Sequence, residues 1–251
     1  MLLACPLLLL ALVAAGPDDS APPPGFVSLF NGRDLAGWRP PAHDGGHWKV
    51  VDGAIDYDAG SEEPAVPGVK DEKSLWSDRE YGNYVLQFDW RIKEAPFINK
   101  AIPYILPDGS HAKGVDGKVL RLALPDADSG VFLRKDGRFQ VNIWCWPIGS
   151  GELYSIRTDP KYPAEVRAAA TPTTQADKPV GEWNHFEITV RGQTVGVVLN
   201  GKPVIAGLTI PDLPPRGPIA FQHHGAKDKD GNWTGPPSLV QFRNIFIREL
   251  P

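Results

Sequence analysis

The chain has 251 residues, with 26 glycines, 26 prolines and a formal net charge of -4. That length suits one large β-domain or two small ones, and it is ample for a sizeable core. The glycine and proline content argues for many turns and against long helices. The weak negative charge leaves no electrostatic footprint for nucleic acid or an anionic membrane.

Residues 1–16 begin Met1-Leu2-Leu3-Ala4-Cys5-Pro6, stay apolar to Ala15 and carry the small-residue site Val13-Ala14-Ala15. The pattern is that of a secretory signal peptide, without the usual Lys or Arg at its start, and the run is short for a transmembrane helix. It predicts an exported protein, periplasmic or extracellular, with no membrane span. Residues 17–25, with Pro22-Pro23-Pro24, read as a linker, and residues 26–251 as the folded domain. After cleavage only Cys145 remains, so neither an internal disulfide nor a Cys-based metal cluster forms. Lying between two tryptophans, Cys145 reads as a buried, inert thiol.

From Phe26 onward the hydrophobic period is mostly two. Tyr84, Leu86, Phe88, Trp90 and Ile92 alternate with Asn83, Val85, Gln87, Asp89 and Arg91, which predicts a half-buried strand. Residues 94–118 and 159–179, rich in proline, resist strand assignment and read as long loops, either lids or mobile surface. Phe186–Val190 and Val195–Leu199 flank a turn, and Asn200-Gly201 signals a tight hairpin into Lys202-Pro203-Val204. Leu239–Arg248 reads as a last strand whose alternation slips near Asn244, as at a bulge. Many strands and few helices predict an all-β fold, a jelly-roll β-sandwich of two antiparallel sheets with long loops.

Asp128-Ser129-Gly130-Val131-Phe132-Leu133-Arg134 reads as a strand with Val131 and Leu133 facing the core, and Asp128, Phe132 and Arg134 facing away. After a turn at Asp136-Gly137, a second strand puts Phe139, Val141, Ile143 and Cys145 on its apolar face. Its other face carries Gln140, Asn142, Trp144 and Trp146. Amides bind hydroxyls and indoles cover the C–H face of a sugar ring, so this face suits a carbohydrate site. Two tryptophans covering a second core, with their amides satisfied by neighbours, is the competing reading. Glu152, ending the glycine turn Gly149-Ser150-Gly151, is a candidate acid, base or metal ligand, or an exposed structural glutamate. Ser150 has no triad context.

Phe221-Gln222-His223-His224-Gly225 ends the apolar run Pro218-Ile219-Ala220. Histidine suits proton transfer and metal ligation because it titrates nearest neutrality. Strand alternation separates the pair: His224 shares a face with Gln222, and His223 follows Ile219 and Phe221. Asp228-Lys229-Asp230-Gly231-Asn232 has its glycine misplaced for an EF-hand and reads as a turn. P-loop and dinucleotide fingerprints are absent, as are the paired strand carboxylates of ordinary retaining glycosidases.

Gly25-Phe26-Val27-Ser28-Leu29-Phe30-Asn31-Gly32-Arg33-Asp34-Leu35-Ala36-Gly37-Trp38 resembles the opening of the 3-keto-disaccharide hydrolase domain family. The likeness continues through Trp48–Gly53, Tyr84–Trp90, Asp128–Arg134, Gly181–Asn184, Asn200-Gly201, Gly217–Gln222 and Phe242–Ile245, and so spans nearly all of residues 26–250. The resemblance implies a concanavalin-like sandwich acting on glycosides already oxidised to a ketone at C3. A C3 ketone acidifies the C2 proton. A base removes it, the aglycone leaves C1, and water adds. Such a route needs a base, an enolate stabiliser and an acid, but no carboxylate pair.

On this resemblance His224 is the proton-transfer group, Arg134 stabilises the enolate or orients a hydroxyl, and Glu152 is the partner acid or base. Gln140, Asn142, Trp144, Trp146, Gln222 and Asp128 bind the oligosaccharide or glycoside substrate. A divalent metal is one candidate enolate stabiliser, with His224 and Glu152 as its ligands. Two departures stand out. Many relatives carry an acid where Gln140 stands, and often another near Trp144 to Trp146. A non-catalytic carbohydrate-binding module of the same fold is the alternative, and an adhesion scaffold a third reading.

Overall fold

The computed structural model describes residues 21–64, 73–134 and 137–251. The expected signal peptide, residues 17–20 of the linker and Asp136 of the expected turn lie outside the described residues. In chain order the strands are β1 (Val27–Ser28), β2 (Trp38–Arg39), β3 (Trp48–Val51), β4 (Ala54–Tyr57), β5 (Leu75–Tyr81), β6 (Tyr84–Ile92), β7 (Phe97–Pro103), β8 (Arg121–Asp126), β9 (Asp128–Phe132) and β10 (Gln140–Trp144). Two short helices follow, α1 (Tyr154–Thr158) and α2 (Ala164–Ala169). The chain closes with β11 (Asn184–Arg191), β12 (Thr194–Leu199), β13 (Lys202–Thr209), β14 (Gly217–Phe221) and β15 (Val240–Glu249).

The large sheet runs β13-β12-β11-β6-β15-β4-β3, with β1 also on β15, and the smaller one runs β10-β9-β14-β5-β2. Adjacent strands pair antiparallel, as expected of a jelly-roll sandwich. Strand β6 shows what drives the layering. Its residues Tyr84, Leu86, Phe88, Trp90 and Ile92 are all buried, while Gln87, Asp89 and Arg91 are partly exposed. Across the core Phe88 meets Phe221 edge-on at 5.5 Å. Phe221 also stacks at 3.9 Å on Phe242 and at 5.0 Å on Trp38. These contacts clamp the end of β14, just before Gln222.

Two of the expected turns are present. Arg191 pairs with Thr194, closing a two-residue hairpin. Asn200 and Gly201 both take positive φ, 50° and 78°, and join Leu199 to Lys202. Such a turn favours Asn-Gly because both central residues are left-handed. The register of β15 on β6 shifts between Arg243 and Phe246, with Asn244 at φ 51°, so the bulge is real.

Three expectations need correction. Residues 94–118 do not form a plain loop: β7 and β8 make an antiparallel arm, extended by bridges Ile105–His111 and Lys113–Val119. Proline misled the reading because an isolated two-stranded arm has only edge strands, which tolerate Pro103 and Pro125. Residues 159–179 carry helix α2. Finally, β9 ends at Phe132, so strand alternation does not reach Arg134. Among the described residues no helix is long and apolar enough to cross a membrane.

Candidate active site

The outer face of the small sheet carries a row of side chains fixed by register. Trp144 stands opposite Asp128, Asn142 opposite Gly130, and Gln140 opposite Phe132. Directly opposed side chains on one sheet face lie within contact range. Beyond Phe221 the chain continues alongside β9. Gln222 N donates to Gly130 O at 2.9 Å, and Ser129 Oγ donates to Gln222 O at 2.8 Å. Ser238 Oγ accepts from His224 N at 2.6 Å and donates to Asp128 O at 2.9 Å, tying His224 to Asp128.

These contacts shape a cleft of about 360 Å³. Asp128, Gln140, Asn142, Trp144, Trp146, Gln222 and His224 all line it, joined by Asn99, Tyr154 and Pro236. The alternation that groups His224 with Gln222 therefore holds. His223 points elsewhere, meeting Glu62 Oε2 at 3.1 Å and the edge of Tyr57.

His224 Nδ1 lies 2.7 Å from Pro236 O. A carbonyl only accepts, so Nδ1 carries the proton and the neutral ring's lone pair sits on Nε2. Nε2 faces Asp128 Oδ2 at 3.9 Å. Burial pushes the Asp128 carboxyl up to about 7; His224 opposes the rise and Asp126 adds to it. The cleft thus holds a free imidazole nitrogen beside a carboxylic acid that titrates near neutrality.

Trp144 and Trp146 stack at 4.0 Å with their planes 4° apart, and Tyr154 stands perpendicular to both. Their indole N–H groups are committed: Trp144 Nε1 donates to Gly149 O at 2.7 Å and Trp146 Nε1 to Asp126 Oδ2 at 3.0 Å. The aromatic wall therefore offers apolar surface and ring edges. Asn142 is 4% exposed and its Oδ1 has no donor in the protein. A buried acceptor left unpaired is costly, so it favours a ligand that brings an O–H or N–H.

Arg134 and Glu152 do not join this cleft. Arg134 is fully buried, donating from Nε to Gly82 O at 3.1 Å and from Nη1 to Gly192 O at 2.8 Å and Pro214 O at 2.6 Å. It fastens turns at the far end of β9. Glu152 is also fully buried and is bound by Arg157 Nε, five residues on in α1. Burial holds the Glu152 carboxyl above the usual carboxylate range, and Arg157 pulls against it. Arg157 Nη1 in turn donates to His111 Nε2 at 3.0 Å.

The sequence model of the 3-keto-alpha-glucoside-1,2-lyase-like domain matches residues 25–248. The chain belongs to that family. Its fold is also that of a crystal structure from Parabacteroides distasonis named "putative glycosyl hydrolase", at 17% identity and a TM-score of 0.53, covering 90% of this chain and 95% of that one. A second P. distasonis structure of the same description is 21% identical with a TM-score of 0.48, covering 90% of this chain and 99% of that one. Nothing among the curated proteins matches the sequence.

Within this family member, a divalent metal held by His224 and Glu152 does not fit, because Glu152 is turned into the core toward Arg157. Among the described residues no three of His, Cys, Asp and Glu are grouped as ligands for one ion. The half-buried Cys145 thiol is pushed up to about 12 by burial, which keeps it in the unreactive thiol form. The Asp228 loop is a turn, with Asp228 Oδ1 accepting from Asp230 N and Asn232 N at 2.9 Å.

Sequence reading missed Asn99, Tyr154 and Asp126. Asp126 is fully buried and accepts from Asn99 Nδ2 at 2.8 Å, from Trp146 Nε1, and from Cys145 N at 3.3 Å. It joins the arm to the aromatic wall. Asn99 was hidden by the loop reading of residues 94–118. Tyr154 had a signal, an aromatic three residues past Gly151 of the glycine turn.

Proposed function

We propose that the chain cleaves 3-keto-glycosides by elimination across C1–C2, with His224 as base and Asp128 as acid. Family membership supports a carbohydrate-active protein. The observation that carries the finer reading is the Asp128–His224 pair, a free Nε2 facing a near-neutral carboxyl at 3.9 Å in an aromatic-walled cleft. Neighbouring groups with opposite proton roles are what such a reaction requires.

His224 Nε2 takes the C2 proton, and the C–H electrons form the enolate with its charge on the C3 oxygen. The enolate collapses, restoring C3=O and forming C1=C2 as the C1–O bond to the aglycone breaks. Asp128 gives its proton to the leaving oxygen. Water then adds: Asp128, now a carboxylate, takes a proton from water as the oxygen bonds C1, and the imidazolium returns its proton to C2. Both groups regain their starting states. The Trp144–Trp146 wall holds the ring, and Asn142 Oδ1 accepts from a sugar hydroxyl. The apolar segment 1–16 supports export as the setting for this reaction.

Binding without turnover is the competing reading, favoured by the withdrawal of Arg134 and Glu152 from the cleft. Incubating purified protein with a 3-keto-disaccharide and with its unoxidised parent separates them. Release of the aglycone from the oxidised sugar alone, reduced about 10²–10⁴-fold in His224→Ala, is the expected outcome. Tight binding of both sugars without release would establish the binding module instead.

A further inference from the structure

Gln140 Nε2 lies 3.2 Å from Ser129 O. A backbone carbonyl only accepts, so the atom of the Gln140 amide placed there is nitrogen. That same nitrogen donates to the Gln222 amide, and the atom it meets there is therefore Oε1. With Oε1 committed, Nε2 is the free end of Gln222, and among the described residues no protein acceptor meets it. Gly130 makes the arrangement feasible. A Cβ at position 130 would overlap the Gln140 amide nitrogen and stand 2.8 Å from its Cγ and 2.7 Å from Val141 O. Only a residue without a side chain lets Gln140 lie across β9 to reach Gln222.

We propose that Gln140 is a positioning residue that sets the polarity of Gln222, so that the cleft presents the Gln222 N–H to the ketone oxygen of the substrate. The substrate half of this inference rests on the 3-keto-glycoside reading; the amide geometry does not. A ketone and the enolate derived from it offer only lone pairs, so they need a donor. The donors of Gln140 and of the aromatic wall are spent: both Gln140 hydrogens are used, and both indole N–H groups are bonded within the protein. Asn142 Oδ1 and the Asp128 carboxyl are suited to hydroxyls, whereas Gln222 Nε2 suits the carbonyl. A carboxylate at 140 would reverse this. It could only accept, Gln222 would turn its N–H inward, and Oε1 would repel the developing enolate.

The test has two arms. The first needs no sugar: side-chain amide proton exchange, followed by ¹⁵N NMR. Gln140 should exchange slowly and Gln222 fast in the native protein, and Gln222 should become the slow one in Gln140→Glu. Slow Gln222 exchange in the native protein overturns the proposal. The second arm compares affinity for a 3-keto-disaccharide and its parent. Gln140→Glu should weaken binding of the keto sugar about tenfold more than that of its parent, and lower kcat about 10²–10³-fold. Gln140→Leu, which keeps the volume without the charge, should show the same bias more weakly while Gln222 exchanges fast. Native-like turnover and sugar preference in Gln140→Glu would overturn the positioning role and leave the proposed function standing. A native protein that ignores 3-keto sugars would overturn the proposed function and the ketone contact, while the exchange arm still decides the amide geometry.

Discussion

Two charged residues that the sequence placed on one strand face have opposite fates in the fold. Arg134 satisfies backbone carbonyls of Gly82, Gly192 and Pro214 from full burial, so its contribution is to stability. Arg134→Ala leaves these acceptors without their donor and should cost about 3–5 kcal/mol in denaturant unfolding, with kcat/KM of the folded protein unchanged. Asp128, by contrast, stands in the cleft with its pKa raised to about 7. As the acid it must be protonated, so kcat/KM should fall as pH rises past about 7, and Asp128→Asn should abolish that limb. The same shift has a stability sign. Between an unfolded value of about 3.9 and the folded value, the native state keeps a proton that the unfolded chain has released. The stability from this group is present at low pH and is lost as pH climbs through that window. Thermal melts of native and Asp128→Asn protein should diverge accordingly, by at most about 4 kcal/mol across the window.

The elements that carry the cleft differ in how firmly they are held. Phe221 anchors the end of β14 by stacking on Phe242 and Trp38, and the next residues are Gln222, His223 and His224. Glu62 takes His223 on the opposite side of this segment from His224. Phe221→Ala should lower stability by about 3–5 kcal/mol, and it should lower kcat/KM of the remaining folded protein by loosening His224 against Asp128. An unchanged kcat/KM would show that the Ser238 bridge alone holds the pair. Strands β9 and β10 were legible because their sequence alternates, and their register brought Gln140, Asn142 and Trp144 to one cleft, where Trp146, just past β10, joins them. The arm of β7 and β8 was not legible, because proline is common on edge strands and its pairing is local to the arm.

At the scale of the molecule, period-two patterning and Asn-Gly turns foretold a two-sheet sandwich, since one buried face per strand leaves few other ways to pack. What patterning could not reveal is where an individual charge ends up. Glu152 is paired by Arg157 from the following helix, and Asp128 owes its raised pKa to burial deep in the cleft. Neither leaves a local sequence signature. The partner of His224 turns out to be Asp128, which the sequence offered only as a sugar ligand. The chemistry proposed for that pair begins with loss of the C2 proton, and an isotope at C2 tests it most directly. Aglycone release should be followed from a 3-keto-disaccharide carrying hydrogen or deuterium at C2. The expected result is slower release from the deuterated sugar and none from the unoxidised parent. Equal rates for both isotopes, together with release from the unoxidised parent, would contradict proton abstraction by His224 as the first step.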